Sequence, residues 1–248
     1  MISVKDLAGL WRNLALMTCF HQAFDQFAFR YLPPDAPDAL ARKVSSLARL
    51  TEIDREQVLP IDENSEQFVF LVEGATKLVA HASQSRDQIV AFHFAGDAIT
   101  VPARVHHSYA VSALRRSAIL SFPGERFLDL ASGEPAILGK LLEASRTSLL
   151  RCREKTITLG RKSASERIAS FLLAMAERIG SQVETGIHLD LPMSRRDIAD
   201  SLGLTIETVS RQLTILRERA LIATIGRSGI LLLDPPSLED CAGYLRAA

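Results

Sequence analysis

Glu207, Ser210 and Arg211 stand three and four residues apart, so on a helix they share one face. A carboxylate there can accept from cytosine N4, and a guanidinium can donate twice to guanine O6 and N7. A hydroxyl between them can face thymine, and Ile206, at the edge of the face, can touch a thymine methyl. Close by are Arg195, Arg196, Thr205, Thr208 and Arg227, residue types that hold phosphate oxygens and fix a protein's register on a duplex. The chemistry is that of reading double-stranded DNA.

Reading bases requires a rigid support, and the flanking sequence supplies one. Ile206, Val209, Leu213 and Leu216 repeat at three, four and three residues, an apolar face behind the polar one. Upstream, Ser194 with Asp197 three residues on is a capping-box pattern that opens a helix over 194–202, with Ile198, Ala199 and Leu202 on one side. Gly203 can take the left-handed conformation that ends a helix, Leu204 plugs the angle, and Thr205 caps the next helix. Downstream, residues 222–234 read as a short hairpin turning at Gly226 and Gly229, with Arg227 at its tip. Two helices, a tight turn and a hairpin make a winged helix-turn-helix. The alternative is a helical hairpin whose polar face is merely wetted.

The run MSRRDIADSLGLTIETVSRQL resembles the DNA-binding domain of the CRP/FNR transcription regulators, in particular their FNR/FixK branch, whose recognition helix carries Glu-x-x-Ser-Arg. Two positions depart from the pattern. Ile206 stands where cyclic-AMP-type members usually carry Arg, and Ala220 stands where members usually carry Gly. A non-glycine residue in a left-handed cap costs about 1 kcal/mol, so this helix end is expected to be looser or differently closed. The resemblance implies a homodimer on a palindromic TTGAT-N4-ATCAA-type site, contact with RNA polymerase, and more often activation than repression.

The 248 residues suit two domains. The formal net charge is zero, which alone argues against a nucleic-acid protein, yet residues 146–230 hold 14 Lys+Arg against 9 Asp+Glu. A mildly basic end on a mildly acidic body fits a DNA reader. Three scattered cysteines and no signal-peptide pattern point to a reducing, cytoplasmic location. No apolar run approaches membrane-spanning length.

Leu7, Leu10, Trp11, Leu14 and Met17 mark an amphipathic lead helix within residues 1–29, expected to pack on the body. After the Pro33-Pro34 break, a second helix covers 37–47. From residue 48 to about 122 the texture changes to short apolar runs between glycine turns, which implies a β-roll or barrel. Phe68–Val72 and Lys77–Ala80 read as a hairpin with Gly74 at positive φ; residues 89–94 and 118–122 are further strands. FVFLVEGATKLV and FHFAGDAI resemble the cyclic-nucleotide-binding-type roll of the same family. Its ribose-binding Gly-Glu and phosphate-binding Arg-Ser/Thr pair are missing from residues 96–109, where Arg104 stands alone, and Arg116-Ser117 comes too late to match. Cyclic AMP binding is not expected. An iron–sulfur cluster needs about four thiolates, and Cys19, Cys152 and Cys241 are too few. His81, His93, His106 and His107 leave open a haem- or metal-based sensor, or a cupin-like metalloenzyme centre, against the simpler reading of hydrogen-bonded or surface residues. No cofactor, metal or catalytic residue is expected.

Residues 135–159 form the longest helical stretch. Leu138, Leu142, Ser145, Leu149, Cys152, Thr156 and Leu159 alternate four and three apart, a heptad seam expected at a dimer interface. A helix packed only on its own roll is the alternative. Cys152 on the seam raises a redox switch, although small cysteines are usually inert packing. Gly160–Ser163 reads as a hinge, and Ser163 or Ser165 caps a helix through Ile179 with Ile168, Phe171, Leu172 and Met175 inward. The expected architecture is α+β: lead helix 1–22, β-roll sensor 23–134, dimerisation helix 135–160, winged helix-turn-helix 161–248. The expected function is DNA-binding transcription regulation, not catalysis. The roll is expected to need no ligand, the dimer being constitutively competent and controlled by its abundance or by Cys152; a haem-type sensor using a histidine is the alternative.

Overall fold

A computed structural model describes residues 4–83, 86–226 and 228–244; the side chains of 4–16, 82, 83 and 86 lie outside the description. Contacts divide the chain into two units, Met1–Leu78 with His93–Ser145 and Val79–Phe92 with Arg146–Ala248. No described helix is long and apolar enough to cross a membrane.

The first unit starts with α1 (Val4–Tyr31) and α2 (Asp38–Leu47). The strands follow: β1 (Arg49–Ile53), β2 (Gln67–Glu73), β3 (Ala75–Ser83), β4 (Arg86–Phe94), β5 (Ala98–Val101), β6 (Ser108–Ala113) and β7 (Ser117–Pro123). Then come α3 (Gly124–Ser132) and α4 (Pro135–Arg161), which runs on into the second unit. One sheet has the order β1-β7-β2-β5 and another β4-β3-β6. Every residue of β2 but the last is buried, as a strand covered on both faces requires.

The expected hairpin over residues 68–80 is a corner instead. β2 pairs with β7 and β5, while β3 lies between β4 and β6, so the chain changes sheets at Gly74. The positive φ of 97° was legible; the switch was not, because a turn and a corner share the glycine. A Cβ at Gly74 would fall 2.5 Å from the Arg116 carbonyl oxygen, closer than any side chain tolerates.

Aromatic rings fill the core. Phe27 of α1 is fully buried, with its ring 4.7 Å from Phe122, 5.6 Å from Phe70 and 5.9 Å from Phe127. Phe68 stacks on Phe127 at 4.8 Å. The α1 face doing this work is Phe20, Phe24, Phe27 and Tyr31, spaced four, three and four. The lead helix runs on to Tyr31, past the expected end at residue 22, and at 28 residues it exceeds α4, the stretch expected to be longest, by one; the side chains of Leu7, Leu10, Trp11 and Leu14 lie outside the described residues, and Met17 is exposed. Ile137, in the first turn of α4, is buried in this aromatic cluster.

The second unit continues with α5 (Ala164–Ile179), β8 (Ser181–Val183), β9 (Gly186–Asp190), α6 (Arg195–Leu202), α7 (Ile206–Glu218), β10 (Ile222–Ile225), β11 (Gly229–Leu232) and α8 (Pro235–Ala242). Ser163 is the cap of α5, closing a capping box with Glu166. The wing is β10 and β11, and it belongs to a four-stranded antiparallel sheet, β10-β11-β9-β8. The short β8–β9 hairpin had no alternating pattern long enough to be read from sequence.

Ala220 does take the left-handed conformation, at φ 54°. The α7 end closes with the Leu221 N–H donating to the Leu216 carbonyl at 3.0 Å. The helix ends as glycine would end it, with the strain retained. Ala220→Gly is therefore expected to raise unfolding stability by up to about 1 kcal/mol. Urea unfolding measures this, and an unchanged or lowered midpoint would show that Ala220 carries no strain.

Candidate nucleic-acid interface

The interface is built from helix caps. Ser194 Oγ accepts from the Asp197 N–H at 3.1 Å, and Asp197 Oδ2 accepts from the Ser194 N–H at 2.8 Å and from its hydroxyl at 2.6 Å. Both arms of the predicted capping box are present. Gly203 is left-handed at φ 62°, and Thr205 Oγ1 accepts from the Thr208 N–H at 3.1 Å. Ile198, Ala199 and Leu202 of α6 are buried, as are Val209, Leu213 and Leu216 of α7. The apolar register read from sequence is the one that packs.

The caps and packing fix which side chains face outward. Glu207 and Arg211 are exposed, Ser210 and Ile206 half-buried, all in the first half of α7. Arg195, Arg196 and Thr205 are exposed and Thr208 is half-buried; Arg227 lies outside the described residues. The Glu207 carboxyl is held below the ordinary glutamate value, first by its own backbone N–H and then by the Thr205 hydroxyl. An ionised carboxylate at a helix N-terminus is also favoured by the helix dipole. The described residues that sequence reading assigned to DNA thus lie at the start of α6 or in the first half of α7, each at least partly exposed.

Three residues that hold this face in place escaped the sequence reading. Arg167, in the first turns of α5, donates to Leu159 O at 2.8 Å, to Lys162 O at 2.9 Å and to Leu202 O at 2.9 Å. Lys155 of α4 and Gln88 of β4 also reach α6. A cation near a helix N-terminus opposes the dipole. That mismatch at Arg167 was the one available signal that its partners lie elsewhere.

Leu138, Leu142, Ser145, Leu149, Cys152 and Thr156 are exposed along α4 and Leu159 is half-buried. Leu142 is 70% exposed, and Leu150 and Ile157, beside the expected seam, are each about half exposed. Thr156 Oγ1 donates to Cys152 O at 2.9 Å, so its hydroxyl is satisfied within the helix.

His81 Nδ1 lies 2.7 Å from Asp87, and His106 and His107 are exposed. Among the described residues no group of three His, Cys, Asp or Glu side chains could hold a metal ion. Arg104 stands 3.9 Å from Glu63, Arg116 donates to Glu52 at 2.7 Å, and the buried Ser117 hydroxyl donates to main-chain carbonyls.

Comparison with known proteins agrees with this geometry. Residues 166–241 match the Crp-like helix-turn-helix domain and residues 53–134 the cyclic nucleotide-binding domain. The chain is 35% identical over 187 residues to the nitrogen fixation regulation protein FixK of Bradyrhizobium diazoefficiens, covering 75% of this chain and 78% of that one. It is 30% identical over 188 residues to the transcriptional activatory protein AadR of Rhodopseudomonas palustris, covering 76% and 78%. The solved structure of FixK2 from Bradyrhizobium japonicum superposes with a TM-score of 0.68 at 30% identity, over 81% of this chain and 99% of that chain. With a β-roll, a long helix and a winged helix-turn-helix carrying Glu207, Ser210 and Arg211, the chain belongs to the CRP/FNR family and is a FixK-like DNA-binding transcription regulator.

Proposed function

We propose that this regulator acts as a cytoplasmic homodimer that activates transcription from a palindromic TTGAT-N4-ATCAA-type site in contact with RNA polymerase. The roll (23–134) is its sensor, the helix 135–160 its dimer contact, and 161–248 its DNA reader. It is not an enzyme. Activation is supported by the resemblance to AadR, a transcriptional activatory protein.

The exposed apolar face of α4 carries the dimer reading. Leu142 and Leu149 lie seven residues apart with more than half their surface in water, and Leu150 and Ile157 widen the stripe. A second copy of the same helix would cover it. Dimerisation matters physically because one recognition helix reads too few bases for genomic specificity, whereas two helices one DNA turn apart read both halves of a palindrome. Replacing Leu142 and Leu149 together with Asp should give a folded monomer with weak DNA binding, since like charges would face each other across the seam. Sedimentation showing an intact dimer would move the interface to another surface.

On each half-site Arg211 donates to guanine, Glu207 accepts from cytosine N4, and Ser210 with Ile206 faces thymine. Arg195, Arg196, Thr205, Thr208 and Arg227 hold the phosphates. Arg211→Ala is expected to cost about 1–3 kcal/mol on the palindrome and to relax preference at the guanine. Arg196→Ala should weaken all sequences alike and flatten the salt dependence. Unchanged affinity of the Arg211→Ala protein for the palindrome would refute this docking.

The dimer needs no cyclic nucleotide. This reading rests on residues 96–109, which lack the Gly-Glu segment and the Arg-Ser/Thr pair of nucleotide-binding members. Titrating the palindrome with and without millimolar cyclic AMP should give superimposable curves. A shift between them would place an effector site in the roll.

A further inference from the structure

A helix leaves its last four carbonyls without helical donors, and in α6 each of them has found one. Ala199 O accepts from the Leu204 N–H at 3.0 Å. Gln88 Nε2 donates to Asp200 O at 2.7 Å and to Ser201 O at 3.3 Å. Leu202 O is taken by Arg167. Gln88 is more than a hundred residues away in sequence and comes from β4, a strand of the roll's smaller sheet.

The same strand is gripped from a second direction. Lys155 Nζ donates to Ile89 O at 2.6 Å, to Val90 O at 2.9 Å and to Ser201 Oγ at 2.9 Å. These three acceptors are neutral oxygens, and burial pushes the Lys155 ammonium down to about 8. A half-buried cation facing only neutral acceptors is costly to keep. Nothing in base or phosphate recognition calls for it. At the root of the hairpin, Arg178 of α5 donates to Phe92 O at 2.7 Å, and Phe92 meets Phe171 edge-on at 6.1 Å. Residues 79–92 therefore cluster with the second unit, although β3 begins and β4 ends in the first.

We propose that Lys155 and Gln88 form a latch by which the β3–β4 hairpin seats α6, and with it the recognition helix, on the end of α4. Both are positioning residues: neither lies on the face assigned to DNA. The hairpin is made of β3 and β4, so a displacement of β4 has a direct route to the carboxyl end of α6 through these hydrogen bonds. Coupling of this kind needs differential contact, and the latch is the contact that would differ, since opening it takes the Gln88 donor from Asp200 O and Ser201 O.

The test uses the full chain with two variants, Lys155→Met, which keeps the length and removes the donors, and Gln88→Ala, which leaves the buried lysine untouched. Leu238→Ala serves as a control that weakens the second unit from α8, away from the latch. Affinity is measured on the palindrome, and amide hydrogen exchange in the DNA-free protein. Each latch variant should bind about tenfold more weakly, and the double variant no worse than the weaker single one. Exchange should rise together in residues 88–92 and 197–204 while β9 and β11 keep their protection. If Lys155→Met fails to fold, Gln88→Ala alone must give this pattern. Additive losses in the double variant, unchanged affinity, or a uniform rise in exchange matching that of Leu238→Ala would overturn the latch. The latch rests on the DNA-reading role of α7, yet exchange decides it separately. Wild-type protein that ignores the palindrome would refute the proposed site, and local exchange would still report whether hairpin and α6 open together.

Discussion

The DNA-reading unit depends on how one short helix ends. α6 has eight residues, so half of its carbonyls are left over by the geometry of the helix itself. An unpaired buried carbonyl costs on the order of 1–3 kcal/mol, which a helix this short cannot absorb. Arg167 meets that requirement twice, because its guanidinium reaches Leu202 O of α6 as well as Leu159 O near the end of α4. Its planar, forked donors suit several acceptors at once, and the negative ends of two helix dipoles favour its charge. The turn at Gly203, the seating of α7 and the outward aim of Glu207 and Arg211 follow from that closure.

Legibility in the sequence tracked the range of the interaction. The helix-turn-helix could be read almost residue by residue, since capping boxes, the left-handed glycine and a 3.6-residue apolar period are all local. Ala220 was half legible: the sequence marked a helix end without its glycine, but the looser or different closure expected there is absent, and the chain accepts the strained conformation instead. The corner at Gly74 was misread because pairing of β2 with β7 rather than β3 is decided some fifty residues downstream. The aromatic stripe of α1 was masked by an apolar run of similar spacing before it. Arg167, Lys155 and Gln88 were invisible for a different reason. Their acceptors are main-chain carbonyls, which every residue has, so no complementary side chain appears in the sequence to mark them.

The site residues divide along the same line. Residue types that read DNA are recognisable because bases and phosphates demand particular donors and acceptors. The support beneath them is less recognisable, although it decides whether those donors point the right way. Glu207 shows the difference: its identity suggested cytosine, while its ionised state is maintained by its own N–H and the Thr205 hydroxyl. In the proposed contact with cytosine the carboxylate would exchange those donors for a base amine. Only the difference between the two arrangements contributes to discrimination.

The polar interruptions of the α4 seam fit the same logic. A dimer helix made wholly of leucine would associate strongly and hold one register. Here Ser145, Cys152 and Thr156 break the apolar row, and Thr156 keeps its hydroxyl bonded within the helix. Such positions can be covered without leaving an unsatisfied polar group, but they add little apolar area. In the proposed dimer the seam would therefore contribute less association energy at its carboxyl half, where Leu150 and Ile157 beside it are also about half exposed. A helix pair with two available lines of contact can rotate between them at low cost. The end of α6 differs from this stripe, because its carbonyls are held by Gln88, Arg167 and the Leu204 N–H.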